Sequence, residues 1–357
     1  MSLRQFETVP YIPFLSLRPA EMRALEELPI LTKDRLLPVV HLRAWSSANY
    51  LQSGLDRIAT AYGSRPIVLG IGDVEVTESW RPVHAELELL RDPANGFNNW
   101  CNFVELHGNY IPAMQFGPSS DQDIQVSRLH SLGRGLFVIL PPQAFGSLEA
   151  LGARVGRLTS GGTNVCFVLD FQTASSDHLQ AAALSVGYLT RVTSVAPNAT
   201  IAISASSFPS TFKGVPEQPI YERRLFDQVA GVFDSHRLVY SDRGSARVEH
   251  QSGGSGTPMP RIDYPLRMDW RFFRSDAVTG FDGYKAQARI LMLQAAIWNP
   301  NLRVWGTQMI ERTASGDMSA ISNPNKATAA RINLHLQVQT FFENPDAAEQ
   351  TDEDWQE

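Results

Sequence analysis

Short apolar runs alternate along this chain with longer stretches of helical spacing. Eight runs stand out: Tyr11–Leu17, Leu37–Leu42, Ile67–Ile71, Tyr110–Phe116, Leu136–Leu140, Val165–Leu169, Thr200–Ser204 and Leu238–Tyr240. Most are rich in Val, Ile, Leu and Phe and do not alternate apolar with polar. A strand reads this way when neither face meets water, which predicts a parallel sheet wrapped by helices. Between the runs, apolar residues fall three and four apart. Leu51, Leu55, Ile58 and Tyr62 mark one face, and Leu148, Leu151, Val155 and Leu158 a second. Leu179, Ala182, Val186 and Leu189 mark a third, and Leu225, Val229 and Val232 a fourth. Pro19 stands where the first turn of a helix tolerates its missing N–H. Ser147 stands where a hydroxyl can cap a helix.

Eight strand–helix alternations predict an α/β fold, a single (β/α)8 TIM-barrel-like domain over residues 1–342. The alternative is an open doubly wound parallel sheet with a C-terminal α/β appendage. Two segments break the pattern. An insertion at about residues 74–109, around Asn95-Gly96-Phe97-Asn98-Asn99-Trp100, reads as an extra helix and a long loop. Residues 243–274 elaborate the last unit, with an aperiodic stretch containing Gly253-Gly254-Ser255-Gly256 and a strand-like Met268–Phe273. Helices at Tyr284–Trp298 and near Ala327–Phe341 complete the domain.

Charge changes the picture at the C-terminal end. The formal net charge is −6. Residues 343–357 hold Glu343, Asp346, Glu349, Asp352, Glu353, Asp354 and Glu357 with no Lys or Arg, so the body is nearly neutral. That end reads as a solvated, disordered acidic tail. Only four basic residues are Lys, and the guanidinium excess suits phosphate or carboxylate recognition or reflects compositional bias. Cys101 and Cys166 form no CxxC, disulfide framework or zinc pattern, and Cys166 reads as a buried thiol. No basic-then-apolar leader and no run of the ~20 apolar residues a membrane span needs is present, which leads us to expect a cytoplasmic protein.

In a barrel, ligand-binding groups gather at the C-terminal ends of the strands. Reading those ends in order gives Arg18; His41 and Arg43; Asp73; Gln115; Gln143; Asp170 and Gln172; Ser204 and Ser206; Asp242 and Arg243. The expected ligand-binding set is Arg18, His41, Arg43, Gln172 and Arg243, joined by Arg271. Asp73, Asp170 and Asp242 could together hold a divalent cation such as Mg2+. Asp170 and Asp242 are the candidate catalytic carboxylates. Helix capping is the structural alternative for each Asp, and a hydrogen-bonded rim or core residue the alternative for His41. No HExxH, Walker or GxSxG motif occurs, and Gly70-Ile71-Gly72-Asp73 is an incomplete GxGxxG.

Residues 237–274 concentrate Arg237, Arg243, Arg247, Arg261, Arg267, Arg271 and Arg274, interleaved with Tyr264, Trp270, Phe272 and Phe273. Arg with aromatics can hold a nucleotide or single strand. Alternatively, Arg267, Asp269 and Arg271 face one side of an edge strand while Met268, Trp270 and Phe272 face the core.

The order of several motifs resembles the beta protein family, named for a T-even phage protein. The motifs are Tyr11-Ile12-Pro13-Phe14-Leu15, Glu21-Met22-Arg23-Ala24-Leu25, Leu37-Pro38-Val39-Val40, Tyr240-Ser241-Asp242-Arg243-Gly244, Trp270-Arg271-Phe272-Phe273-Arg274, Gly283-Tyr284 and Arg331-Ile332-Asn333-Leu334-His335-Leu336. The resemblance spans nearly the whole chain and implies a role in phage–host conflict or antiviral defence. It carries no catalytic assignment but draws attention to Asp242, Arg271 and His335. His335, among Leu334, Leu336 and Val338, reads as a buried residue. Three functions follow. The first is a binding or regulatory barrel for an anionic ligand, nucleotide, nucleic acid or partner protein. The second is a metal-assisted phosphodiester or nucleotide hydrolase. The third is a phage structural or assembly protein that forms oligomers. The first is preferred.

Overall fold

The computed structural model describes residues 4–74, 79–117, 121–233, 237–247, 259–274 and 277–351. The strands are β1 (Tyr11–Ser16), β2 (Val39–Leu42), β3 (Ile67–Ile71), β4 (Tyr110–Pro112), β5 (Leu136–Leu140), β6 (Val165–Thr173), β7 (Thr200–Ser206), β8 (Glu217–Pro219), β9 (Leu238–Asp242), β10 (Arg261–Pro265) and β11 (Asp269–Arg274). Each of the eight apolar runs becomes a strand of one parallel sheet, in the order β4-β3-β2-β1-β9-β7-β6-β5. Its two ends meet. Ala113 bridges Phe137, and the Met114 N–H donates to the Phe137 carbonyl at 2.8 Å. The sheet is therefore a nearly closed barrel, and the open doubly wound alternative is excluded.

The chain divides into two compact units. The first comprises Met1–Arg18, Leu37–Ala205 and Glu222–Asp242, and holds the barrel. The second comprises Pro19–Leu36, Ser206–Tyr221 and Arg243–Glu357.

Inside the barrel, alternate residues of the strands pack on one another: Ile12 and Phe14, Val39, Val68, Ile111, Phe137, Cys166 and Val168, Ala202, Val239. Phe6 and Val9 join this core, with the Phe6 ring edge-on to Phe137 at 5.0 Å. Each buried Val, Ile or Phe among them contributes about 1.5–3 kcal/mol. Cys166 is a buried free thiol as expected, and burial pushes its pKa upward. Cys101 is buried too, and its thiol is pushed up to about 11, chiefly by burial. Neither is poised as a nucleophile.

Local expectations are corrected in several places. The insertion is two helices, Pro82–Arg91 and Ala94–Leu106, rather than one helix and a loop. Asn95, Gly96 and Phe97 take left-handed φ of 52°, 67° and 56° at the start of the second. A Cβ on Gly96 would lie 2.7 Å from the Asp121 carbonyl, so this turn needs glycine. The helix His178–Val195 buries Ala182, Ser185, Leu189 and Val192, one turn later than the apolar count suggests, and Leu179 is exposed. Val232 lies beyond the helix Tyr221–Ala230 and is exposed. Ser147 does occupy an N-cap, but its hydroxyl donates back to the Ala144 carbonyl at 3.0 Å.

In the second unit, β10, β11 and β8 form an antiparallel sheet with β11 in the centre, not at an edge. Trp270 and Phe272 of β11 are buried, as their alternation implied. The helix Pro324–Thr340 is buried on nearly every side of its last three turns. A helix enclosed all round shows no amphipathic stripe, and its polar side chains must find partners within the fold. The Asn333 amide donates to the Ala24 carbonyl at 3.1 Å and accepts from the Gly306 N–H at 2.9 Å. Gln337 accepts from the Thr32 hydroxyl at 2.6 Å and donates to the Ala348 carbonyl at 2.9 Å and the Thr351 hydroxyl at 2.8 Å. Gly306 lies in the first turn of the helix Trp305–Ser315, which the apolar spacing did not predict.

Those Gln337 bonds correct the reading of the acidic end. Residues 343–351 are folded, Ala348 and Thr351 are buried, and Glu349 accepts from the Asn299 amide at 2.7 Å. Asp352, Glu353, Asp354 and Glu357 lie outside the described residues, as do Glu249 and the Gly253–Gly256 stretch. Among the described residues, no helix is long and apolar enough to cross a membrane.

Candidate functional site

The barrel interior changes character toward the C-terminal ends of its strands. Ser16 pairs in register with His41, and His41 with Gly70, continuing the inward phase of Phe14, Val39 and Val68. On β6, Asp170 continues the phase of Cys166 and Val168. On β7, the neighbour of β6, Ser204 continues that of Ala202. A polar layer of Ser16, His41, Asp170 and Ser204 thus follows the apolar ones.

Backbone features hold this layer. A Cβ on Gly70 would sit 2.7 Å from His41 Cδ2 and 3.1 Å from Nε2. The missing side chain lets the imidazole lie across β3, edge-on to Phe14 at 5.8 Å. Asp170 is buried, and its Oδ1 accepts the Gln172 N–H at 3.0 Å. Gln172 has φ 62°, a left-handed conformation costing about 1–2 kcal/mol in a residue with a Cβ. Strain of this kind gathers at functional sites. Among the described residues, the fully buried Ser204 hydroxyl has no hydrogen-bond partner. Such orphaned groups are uncommon in folded interiors and cost about 1–3 kcal/mol. Nearby in sequence, Arg91 pins the end of β3, donating to the Gly72 carbonyl at 3.0 and 2.8 Å and to the Asp73 carbonyl at 3.1 Å. Burial lowers the Arg91 pKa, and the charges of Asp73 and Glu88 oppose that shift.

Asp242 lies elsewhere. It shares the outward phase of Tyr240, whereas Val239 points into the barrel core. Fully buried, it accepts the Tyr11 hydroxyl and, at 2.9 Å, the Tyr240 hydroxyl. The two rings stack at 5.5 Å, and the Arg223 guanidinium lies 4.5 Å from the Tyr240 ring. Burial first, and then the Asp242 charge, raise both tyrosine pKa values well above normal. Asp73 is exposed. The three carboxylates expected to share a divalent ion therefore do not converge, because strand alternation sends Asp170 and Asp242 to opposite faces. Among the described residues, no group of three or more His, Cys, Asp or Glu is placed to hold a metal ion.

The expected ligand-binding residues separate likewise. Arg18, His41, Arg43 and Gln172 are half-buried residues of the first unit. Arg243 and Arg271 belong to the second. Arg271 is ion-paired with Glu217 and with Asp269, the latter at 2.7 Å.

The second unit holds a different cluster. Asp263 accepts a fork from Arg261, with Nη2 at 2.9 Å, and also Nη1 of Arg331 at 2.9 Å. Arg331 lies 4.1 Å from the Phe208 ring, and Arg261 3.3 Å from the Phe212 ring. Trp270 stacks on His335 at 5.8 Å and meets Phe208 edge-on at 5.3 Å. His335 is fully buried, as its apolar neighbours implied. Spacing could not reveal this cluster, since its members come from three distant stretches. The Arg–aromatic concentration of residues 237–274, the alternation in β11 and the family-like segment around His335 were its legible traces.

The chain belongs to the beta protein family: the family described as "Beta protein" matches residues 11–341. It is 27% identical over 344 residues to Protein beta of Enterobacteria phage P4, covering 94% of each chain. That relative comes from phage P4, so the narrower T-even attribution is replaced. No solved structure matches. The family-like segments supply Tyr11, Tyr240 and Asp242 in one buried cluster and Trp270, Arg331 and His335 in the other.

Proposed function

We propose that the chain is a ligand-binding barrel acting in phage–host conflict, which receives a small anionic ligand of nucleotide type at the C-terminal ends of its strands. The observation carrying this reading is the inward polar layer of Ser16, His41, Asp170 and Ser204 beyond an apolar barrel core. A polar layer inside a barrel costs stability unless a partner completes it, and the orphaned Ser204 hydroxyl measures what is incomplete. Asp170 suits a sugar hydroxyl, and His41 can donate or accept. Arg18 and Arg43, which follow β1 and β2, suit a phosphate. The conflict role rests on kinship with a phage protein.

The test is thermal unfolding of the full chain against a nucleotide panel, with and without Mg2+ and chelator, followed by calorimetric titration. One nucleotide class should raise the Tm without any need for metal. Asp170→Asn and His41→Ala should each weaken its binding on the order of tenfold, the worth of one charge-assisted hydrogen bond. No shift with any nucleotide, a full response in both variants, or a response confined to nucleic acid or protein would overturn the reading.

A further inference from the structure

We infer that the second unit carries a phosphate-binding site of its own, formed by Arg247 and Arg261 beside the ring of Phe212. Three guanidinium groups gather in this region. Arg261 lies 3.3 Å and Arg247 5.4 Å from the Phe212 centroid, and Arg331 lies 4.1 Å from Phe208. Their shared carboxylate, Asp263, is already engaged by the Arg261 fork and by Arg331. Glu21 adds its charge toward Arg331. Among the described residues, two acids, Asp263 and Glu21, face these three bases. Among the described residues the Arg247 guanidinium makes one hydrogen bond, from Nε to the Pro209 carbonyl at 2.7 Å.

This arrangement is unfavourable as it stands. Burial, and then the charge of Arg261, lower the Arg247 pKa, with Asp263 opposing. A cation half removed from water and beside a second cation is a standing demand for an anion. Stacking supplies the geometry. A guanidinium held flat over a ring keeps its N–H edge free to point sideways. Arg261 gives its Nε–Nη2 edge to Asp263, so a phosphate would meet Nη1 of Arg261 and the terminal amino groups of Arg247, by charge-assisted hydrogen bonds. The site therefore takes a phosphate dianion, free or as the end of a larger molecule. It is independent of the barrel layer, with which it shares no residue.

The experiment uses the full chain and inorganic phosphate as the probe, titrated at constant ionic strength against chloride and acetate, with binding read by calorimetry and thermal shift. Phosphate should stabilise the wild type more than either control. Arg247→Ala removes a half-exposed side chain outside the core and should fold. It should lose phosphate affinity on the order of tenfold or more, and Arg247→Lys, which keeps charge but not the fork, should lie between. Without phosphate, Arg247→Ala should unfold no earlier than wild type, because a repulsion has gone. The barrel variants Asp170→Asn and His41→Ala should keep the full phosphate response, which separates this site from the one proposed above. Equal phosphate stabilisation of wild type and Arg247→Ala would overturn the inference, as would no preference for phosphate over acetate. Repeating the titration with ADP in the Asp170→Asn/His41→Ala double variant, whose barrel response is weakened, identifies the source: further loss with Arg247→Ala for both probes indicates a phosphorylated ligand, and for phosphate alone the free ion.

Discussion

Asp242 stands at a strand end and reads as catalytic, yet its surroundings make it structural, and the two roles predict opposite outcomes. Replacing it with Ala removes the acceptor of two buried hydroxyls, Tyr11 and Tyr240. Each buried hydroxyl left unpaired costs about 1–3 kcal/mol, so the loss should reach about 2–6 kcal/mol. Whole-domain stabilities run to about 5–15 kcal/mol, so Asp242→Ala should stand near the edge of folding. Asp242→Asn keeps one carbonyl oxygen and turns an N–H2 toward the other tyrosine, so about half that loss is expected. Removing the carboxylate also takes negative charge out of the cluster that Arg223, with a side chain 4% exposed, joins at 4.5 Å from the Tyr240 ring, which acts in the same direction. The assay is urea unfolding followed by tryptophan fluorescence and circular dichroism, on Asp242→Asn, Tyr11→Phe, Tyr240→Phe and the doubles. Tyr11→Phe and Asp242→Asn should couple by at least ~0.5 kcal/mol, as residues in direct contact do. Asp242→Asn should keep the ligand response of the barrel once allowance is made for its lower Tm. An Asp242→Ala protein as stable as wild type would refute the reasoning. So would an Asp242→Asn protein of normal stability that no longer responds to ligand.

Other consequences follow from the same packing. Burial pushes Tyr264 from its ordinary 10.0 up to about 12, and burial with the Asp242 charge raises Tyr11 and Tyr240 well above the ordinary value. Tyrosines in the unfolded chain ionise first, so their stabilisation is full below pH ~10 and fades as pH rises, by about 1.4 kcal/mol per unit for each residue. Melting curves between pH 9 and 11.5 should show this steep alkaline fall, less steep in Tyr264→Phe. Gly70→Ala would press a Cβ against the His41 ring at 2.7 Å. The ring can swing, so stability should drop by only about 1 kcal/mol while nucleotide binding weakens; a variant that binds normally would show that the ring's placement is immaterial. Gly306→Ala meets Leu334 Cγ at 2.6 Å and the Ala330 carbonyl at 2.8 Å. Because backbone is involved, a loss of about 1–3 kcal/mol is expected in chemical denaturation, and a neutral result would count against tight packing of these helices.

The apolar runs declared the barrel because a strand covered on both faces can hardly be anything but apolar, and all eight runs lie in the parallel sheet. The buried thiol at Cys166 and the inward side of β11 were legible for the same reason: burial leaves its mark in composition. What composition could not show was parity. Asp170 and Asp242 both end apolar strands, yet one continues the phase of Val168 toward the interior and the other that of Tyr240 away from it. In a strand that is apolar throughout, nothing in the sequence says which alternate positions point inward; only pairing with neighbours does. The Arg331–Asp263 pair was hidden differently, by 68 positions of separation and by a helix whose complete burial erases the amphipathic stripe. The sequence alone determined the number, order along the chain and class of the barrel strands, through the hydrophobic pattern that folding must bury. The tertiary structure decided which polar groups face the barrel interior and which serve as buried braces, because that depends on strand register and long-range contact, which no local window contains.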